Sequence, residues 1–487
     1  MKKYITIILA ALLFISCDDF LDIQPTGKII AETGAEYRAL LTDVYSRFPE
    51  DRGKTTLRSD EVAADAESLK GDDYNSYFDI WNWTDYNRDA ASLYFNWRSY
   101  YHSCYIANYI IEHKNEITKA TQKDIDQLVG ECYMMRAYIH FMLVNLYAPA
   151  YTHCEPATTR GIPLSVKADV NAVLKCSSVE QVYKQILDDI DSAEELMNVE
   201  RWDEGLNYRF NTTTVNALRA RVALYMGDWA LALQESKKVI EKYPDLEDLN
   251  SSSALLPTNY KSVESIMALE QVLVSDLTRA LKNANGKEIC DVVIGFVDPE
   301  LARKYRNGDL RIDSYFHTIS TEFLTDINGK PIIVNGKPLS ISKYGYKVVE
   351  DLDEVRCTFR AGEFYLIAAE AANELNEQNE ALRYLKTLME KRYTAKKYPE
   401  YSLALEKLTQ EAMRDSIANE RQRELAYQGH RWFDLRRTTQ PGLTKVYKVS
   451  EDDAKSETYT LQQGDERYTL RFPSDAVAAN PDLENWK

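Results

Sequence analysis

A segment of thirteen residues, Tyr74 to Tyr86, has the clearest potential for binding chemistry in this chain. It reads YNSYFDIWNWTDY, in which six aromatic residues are interleaved with short polar ones. A flat ring can stack on the apolar face of a sugar ring, while amide and carboxylate groups pair with the sugar hydroxyls. The segment therefore predicts a ligand-binding site that comprises Tyr77, Trp81, Asn82, Trp83, Asp85 and Tyr86.

Within this site Trp81 and Trp83 are the strongest candidates, because tryptophan has the largest ring face. A second and weaker aromatic group, Tyr315, Tyr344 and Tyr346, lies in the middle of the chain, and we add Tyr315 to the predicted site. For each of these rings the alternative is packing onto the helices, since Tyr and Trp also serve as core residues.

Motifs that would indicate catalysis are absent from the sequence. Residues 329–337 have the wrong spacing for a phosphate-binding loop, and Pro338 stands where Ser or Thr would bind magnesium. Neither His-Glu-x-x-His nor Gly-x-Ser-x-Gly occurs, and the chain has only 6 His. We therefore expect no catalytic residue, no metal and no cofactor. A glycosidase with two carboxylates on separate elements stays open as an alternative, because it leaves no local motif.

The beginning of the chain has the pattern of an exported protein. Two lysines precede an apolar run over residues 4–15, and Ser16 then precedes Cys17. This pattern predicts a secretory signal over residues 1–16. Its end resembles a bacterial lipobox, in which Cys17 becomes the lipidated first residue of the mature chain. Cleavage without lipidation is the alternative.

The net charge argues against nucleic acid as a partner, and the hydropathy argues against a membrane-spanning helix. A formal net charge of −17 argues against nucleic acid, whose binding depends on neutralisation of phosphates by Lys and Arg. No apolar run after Cys17 reaches the roughly 20 residues that a membrane-spanning helix needs. We therefore expect attachment to the membrane through lipid alone. Cys104 and Cys132 fall within helical patterns, which predicts that they are core thiols.

The dominant pattern is helical, and the helices come in pairs. Residues 217–244 predict a helical hairpin of the tetratricopeptide type, with a turn at Gly227-Asp228-Trp229. A weaker copy covers residues 360–392, with its turn at 376–379. Because one hairpin cannot bury its own apolar face, neighbouring hairpins must stack.

Other elements support this array. Residues 128–147 predict a long apolar helix, and Ser177 with Glu180 predicts a capping box at the start of another helix. The sequence Asn335-Gly336 next to Ile332-Ile333-Val334 predicts a small β-hairpin. Residues after Pro441 are expected to be irregular. The predicted fold is mainly α, a tetratricopeptide-like array with an irregular, loop-rich face, divided after the signal into residues 17–250, 251–347 (the irregular insertion) and 348–487.

The segment from Asn419 to Arg437, NERQRELAYQGHRWFDLRR, is dense in charges and aromatic rings. One interpretation is a ligand site formed by Arg431, Asp434 and Arg436. The other is an arginine–carboxylate network that fixes the last helix, with the pair Trp432-Phe433 facing inward. Bidentate arginine pairing is typical of such packing, which favours the second interpretation.

This segment resembles the C-terminal motif of the SusD/RagB family of Bacteroidetes surface lipoproteins. The start of the mature chain, Cys17-Asp18-Asp19-Phe20-Leu21-Asp22 followed by Pro25, is also similar to that family. So are the helix that contains Arg136-Ala137-Tyr138, the helix over Phe359 to Ala371, and the ending from Phe472 to Pro481. These matches follow one another in order from Cys17 to the end of the chain.

The resemblance implies a helical tetratricopeptide-type scaffold with an irregular binding face. It implies a non-catalytic lipoprotein of the outer membrane, facing the cell exterior. It also implies capture of oligosaccharides, which are passed to a SusC-like TonB-dependent transporter. Two alternatives stay open: capture of peptides, as in some branches of the family, and a tetratricopeptide scaffold that holds a partner protein in its concave face.

Overall fold

The computed structural model describes residues 31–64, 74–86, 95–271, 278–282, 288–292, 296–323, 330–334, 337–338, 340–346, 355–448 and 456–483. Cys17 and the predicted signal over residues 1–16 lie outside the described residues. The side chains of Tyr86, Tyr344 and Tyr346 also lie outside them.

The described residues are mainly helical. The helices of the first half are α1 (Gly34–Ser46), α2 (Asp51–Lys54), α3 (Tyr74–Trp81), α4 (Trp97–Glu112), α5 (Gln122–Tyr147), α6 (Val179–Leu196), α7 (Thr212–Met226) and α8 (Trp229–Lys242). Those of the second half are α9 (Pro299–Lys304), α10 (Arg311–Tyr315), α11 (Ala361–Glu374), α12 (Gln378–Glu390), α13 (Tyr398–Leu405), α14 (Gln410–Glu424), α15 (Arg431–Arg437) and α16 (Ser474–Ala479).

Short antiparallel strand pairs lie between and beside the helices. The strands are β1 (Val62–Ala63), β2 (Arg160–Pro163), β3 (Cys176–Ser178), β4 (Ser265–Met267), β5 (Thr278–Lys282), β6 (Glu288–Val292), β7 (Phe296–Val297), β8 (Phe316–Phe323), β9 (Ile333–Val334), β10 (Lys337–Pro338), β11 (Ser340–Tyr346), β12 (Phe359–Arg360), β13 (Leu443–Lys448) and β14 (Ser456–Leu461). The pairs are β1 with β7, β2 with β3, β4 with β12, β5 with β6, β8 with β11, β9 with β10 and β13 with β14.

Both predicted helical hairpins are present. Helices α7 and α8 are joined at Gly227, whose φ of 75° lies in the left-handed region that glycine adopts without strain. The side chain of Asp228 then accepts a hydrogen bond from Leu231 N and caps α8. Helix α12 begins at Gln378, slightly earlier than predicted, because Asn376 takes the left-handed conformation that ends α11. Helix α8 packs against both α7 and α11, so the two hairpins are stacked neighbours.

The boundaries of two other helices differ from the prediction. Helix α5 begins at Gln122 rather than at residue 128, because Thr121 and Asp124 form a capping box ahead of the apolar run. Helix α6 is capped by Ser178 with Gln181, not by Ser177 with Glu180. The Ser-x-x-Gln pair one residue further on has the same signature, and it is the one that forms.

The predicted small hairpin is confirmed, since β9 pairs with β10 in antiparallel register. The expectation of irregular structure after Pro441 is wrong. Strands β13 and β14 pair over six positions, from Leu443 opposite Leu461 to Lys448 opposite Ser456. Buried Lys445 and Tyr447 alternate with exposed Thr444 and Val446, which is the period-two pattern of a half-buried strand.

The helices share a continuous hydrophobic core that extends from α1 to α15. Cys104 and Cys132 are fully buried free thiols in it, as predicted. In the described part of the chain, the apolar helices are too short or too polar to cross a bilayer. The long helix α5 is buried on nearly all sides and forms the centre of the N-terminal half.

Candidate ligand-binding site

The two predicted tryptophans lie in the core. Trp81 ends α3 and Trp83 follows it, and each side chain is only 1% exposed. The indole N–H of Trp81 donates to the carbonyl of Val62 at 2.8 Å. The indole N–H of Trp83 donates to the carbonyl of Arg58 at 2.9 Å. Neither ring presents a face to solvent, which corrects the expectation that they offer stacking surfaces.

A buried lysine from the distant strand β13 completes the environment of these rings. Lys445 Nζ lies 4.6 Å from the centroid of the Trp83 ring and 5.2 Å from that of Trp81. It also donates to the carbonyl oxygens of Leu57 and Trp81, at 2.6 and 3.0 Å. Burial and the nearby Arg58 guanidinium lower the pKa of Lys445 well below its ordinary value. The tryptophan rings therefore pack against the amino group of Lys445 inside the protein.

Two predicted polar residues are also used internally. The Asn82 side chain is buried, and its Oδ1 accepts from the backbone N of Thr84 at 2.9 Å. Asp85 is buried in an ion pair with Arg58. Burial raises the pKa of Asp85 more strongly than Arg58 lowers it. The structure therefore corrects the expectation that these two side chains face a ligand.

The remaining predicted residues have different surroundings. Tyr315, at the end of α10, is buried beside Phe316, and burial raises the pKa of its phenol. Its ring is therefore not exposed as predicted. Tyr86 closes a short 3-10 turn, and its side chain lies outside the described residues. Tyr77 is half-buried on α3, and its side chain lines an open depression.

Tyr77 lines an open depression of about 330 Å³, here named the Tyr77 depression. Its other lining residues come from the end of α1, from α2 and from the start of α4: Arg47, Phe48, Pro49, Glu50, Lys54, Asn96 and Ser99. Drug-sized ligands occupy sites of about 300 to 1,000 Å³, so the volume lies at the lower end of that range. The depression can hold a short stretch of a longer ligand.

The lining offers an aromatic ring together with groups that donate and accept hydrogen bonds. Arg47 is exposed, and its Nε lies 2.9 Å from Asp43 Oδ1. Lys54 Nζ donates to Asp51 Oδ1 at 3.3 Å. Glu50 adds a carboxylate. This combination suits a polyhydroxylated ligand, whose ring stacks while its hydroxyls form hydrogen bonds.

The residues beside Tyr77 were missed in the sequence because no motif joins them. Arg47 to Glu50 form the break after α1, and Asn96 directly precedes α4. Each position is an ordinary helix boundary in the sequence. The one local signal is the proline at position 49, which indicates a loop between two helices. In the described residues, no group of three or more His, Cys, Asp or Glu is arranged to hold a metal ion.

The charged C-terminal segment forms the arginine–carboxylate network that was favoured on sequence grounds. Arg421 Nε donates to Asp434 Oδ2 at 2.8 Å, and Arg437 Nε donates to Asp434 Oδ1 at 2.9 Å. Arg431 pairs with Asp60 through two bonds of 2.7 Å. Arg436 donates to the carbonyl of Tyr468 at 2.7 Å. Trp432 and Phe433 are buried, as predicted.

A second network, here named the Glu424 cluster, consists of Glu264, Arg311, Arg360, Arg392 and Glu424. Glu424 accepts from Arg311 at 2.9 Å, from Arg360 at 2.8 Å and from Arg392 at 2.9 Å. Glu264 accepts from Arg360 at 2.9 Å. Burial alone would raise the pKa of Glu424, but the three guanidinium groups outweigh it and lower that pKa. The cluster joins residues of the predicted insertion, 251–347, to the C-terminal helices.

Two family models match successive parts of the chain. The model described as "Starch-binding associating with outer membrane" matches residues 19–224. The model described as "SusD family" matches residues 341–485. A SusD-like protein of Formosa agariphila is 23% identical over 508 aligned positions, which cover 90% of this chain and 92% of that protein.

Solved structures share the fold. A SusD-like carbohydrate-binding protein from Bacteroides vulgatus superposes with a TM-score of 0.66 at 17% identity, covering 93% of this chain and 97% of that one. A structure described as a laminarin-binding SusD-like protein has a TM-score of 0.58 at 18% identity, covering 84% of this chain and 92% of that one. The two family models, which match residues 19–224 and 341–485, show that the chain belongs to the SusD/RagB family.

Proposed function

We propose that this protein captures oligosaccharides at the Tyr77 depression and does not transform them. The observation that carries the proposal is the placement of one partly exposed aromatic ring, Tyr77, beside the donors and acceptors of Arg47, Glu50, Lys54 and Asn96 in an open depression of about 330 Å³. Relatives described as carbohydrate-binding and laminarin-binding support the choice of ligand class.

The test is binding of a panel of oligosaccharides that includes maltoheptaose and laminarihexaose, measured by calorimetry on the soluble part of the chain. Tyr77→Ala should weaken binding about 5- to 50-fold, which corresponds to about 1 to 2 kcal/mol. Tyr401→Ala is the matched control, because Tyr401 is half-buried on α13 and does not line the depression. Unchanged affinity of the Tyr77 variant would place the site elsewhere.

The same panel separates the open alternatives. Peptides that bind while every oligosaccharide fails would identify a peptide-capturing member of the family. Cleavage products after prolonged incubation with the oligosaccharides would indicate a glycosidase.

We further propose that lipid on Cys17 holds the protein at the exterior of the outer membrane, where it passes its ligand to a SusC-like TonB-dependent transporter. The family model described as associating with the outer membrane supports this location. Mass spectrometry of the mature protein should find acyl chains on Cys17, and a barrel subunit should copurify with it from native membranes. Absence of the barrel, with capture of another protein through the helical hairpins, would favour the scaffold alternative.

A further inference from the structure

A buried carboxylate lies directly behind the Tyr77 depression. Asp51 begins α2 and is fully buried. Its Oδ2 accepts from the backbone N of Asn96 at 2.6 Å, and its Oδ1 accepts from Asn96 Nδ2 at 2.8 Å. Lys54 Nζ lies 3.3 Å from the same Oδ1. One carboxylate thus contacts two of the residues that line the depression.

The contact with Asp51 gives the Asn96 side chain an orientation that its local position would not favour. Asn96 is the N-cap residue of α4, where asparagine usually accepts a hydrogen bond from the first turn of its own helix. No such capping bond is present at Asn96. Its side-chain amide donates to Asp51 instead. A local interaction that stabilises helices is therefore replaced by a long-range one.

This geometry also decides which end of the Asn96 amide is left for a ligand. An ionised carboxylate only accepts hydrogen bonds, so the NH2 group of Asn96 must be the end that faces Asp51. The side-chain carbonyl oxygen of Asn96 is then the end that remains for other partners, on an exposed residue that lines the depression. It is suited to accept a hydrogen bond from a ligand hydroxyl.

We propose that Asp51 is a positioning residue for the Tyr77 depression: it orients Asn96 so that the side-chain carbonyl of Asn96 accepts a hydrogen bond from the ligand, and it restrains Lys54 beside it. This inference rests on the proposed function, since it concerns the same depression. Asp51 itself does not touch the ligand, because it is buried behind Asn96 and Lys54.

The test combines affinity with a measurement that needs no ligand. Asp51→Asn should weaken binding of maltoheptaose or laminarihexaose about 5- to 10-fold, and Asn96→Ala should weaken it to a similar extent. The double variant should bind the oligosaccharide at most about twofold more weakly than either single variant, because Asp51 acts through Asn96. In the absence of ligand, amide hydrogen exchange at Asn96 should become faster in Asp51→Asn.

Asp189→Asn is the matched control. Asp189 is also a buried carboxylate, but it is bonded to Arg136 and Gln185, neither of which lines the depression. Its substitution should leave affinity and Asn96 exchange unchanged even if it lowers stability. Asn96→Ser provides a variant at an exposed position that keeps the chain folded, since serine can cap α4. It should lose affinity as Asn96→Ala does.

The outcomes separate this inference from the proposed function. If Tyr77→Ala and Asn96→Ser weaken binding but Asp51→Asn does not, the inference is wrong and the proposed site stands. If Tyr77→Ala and Asn96→Ser both bind as the unaltered protein does, the proposed site is wrong and the inference with it. Full additivity of Asp51→Asn and Asn96→Ala, or unchanged exchange at Asn96 in Asp51→Asn, also overturns the inference.

Discussion

The Glu424 cluster and the Tyr77 depression both gather charged side chains from distant parts of the chain. In the cluster, three guanidinium groups share the carboxylate of Glu424, and the charged groups are all buried. In the depression, Arg47 lies beside the carboxylate of Asp43 and Lys54 beside that of Asp51, and both side chains keep part of their surface exposed. The charges of the cluster pair with one another and with the neighbouring Asp309 and Glu420, whereas the depression presents charged and polar side chains at an open surface.

This difference shows what burial does to similar residue types. A charge that is removed from water must be paired within the protein, because an unpaired buried charge is strongly unfavourable. A charge at an open depression stays solvated and can exchange water for a ligand. Density of charge in the sequence therefore does not distinguish a structural network from a binding surface.

The largest expected effect is loss of stability on substitution of Glu424. Glu424→Gln should lower the free energy of unfolding by about 5 kcal/mol, at the upper end for a broken buried pair, because three arginines lose their shared negative partner. Chemical denaturation measures the change. Glu374→Gln is the control, since its partner Arg414 is half-exposed, and such a pair contributes about 1 kcal/mol or less. Equal losses of stability in Glu424→Gln and Glu374→Gln would contradict the distinction between buried and exposed charges.

The next largest effect should separate Trp83 from Tyr77 within one aromatic segment. Trp83→Ala should lower the free energy of unfolding by about 3 kcal/mol, because it removes a buried ring together with its contact with Lys445. The folded variant should keep its affinity for oligosaccharide within about twofold. Denaturation and calorimetry together check this prediction. A folded Trp83 variant that cannot bind oligosaccharide would place the binding site at Trp83.

Glu61 differs from both regions. It is a buried carboxylate like Glu424, but it accepts a hydrogen bond from the backbone amide of Tyr427 rather than from a guanidinium. Burial, aided by the nearby charge of Asp60, raises the pKa of Glu61 from its ordinary value of 4.5 to about 8. The folded state therefore keeps a proton that the unfolded state releases. Stability from this group is present below pH 4.5 and is lost as pH rises to about 8.

Glu61→Gln should remove this part of the pH dependence. The unaltered protein should lose up to about 1.4 kcal/mol of stability per pH unit from this group between pH 6 and pH 8. In Glu61→Gln the denaturant midpoint should change less with pH across that range. Glu300→Gln, at an exposed position on α9, should keep the slope of the unaltered protein. An unchanged slope in Glu61→Gln would show that Glu61 is ionised in the folded state.

The sequence was informative where the signal is local. The turn at Gly227-Asp228-Trp229 is read from neighbouring residues, and the helical pair that it joins is present. The Asn335-Gly336 hairpin is likewise a short-range signal, and β9 and β10 pair as predicted. Strands β13 and β14 contradict the expectation of irregular structure after Pro441, although the alternation of Thr444 and Val446 with Lys445 and Tyr447 is visible in the sequence.

The site was predicted less well because exposure depends on distant residues. Trp81 and Trp83 have the composition of a sugar-binding surface, but Lys445, hundreds of residues away in the chain, lies against both rings. Tyr447 and Tyr459 on β13 and β14 also pack against Trp81. No pattern within the aromatic segment indicates that another segment covers it.

The amino-acid sequence by itself determined the paired helices, the family motifs and the arginine–carboxylate character of the C-terminal segment, because periodicity, caps and pairing chemistry act over short distances. Only the tertiary structure decided which aromatic residues are covered and which one borders the open depression. The physical reason is that burial is a property of contacts between segments far apart in the chain. Tyr77 packs against the core that contains Trp81 and Trp83 but remains partly exposed itself.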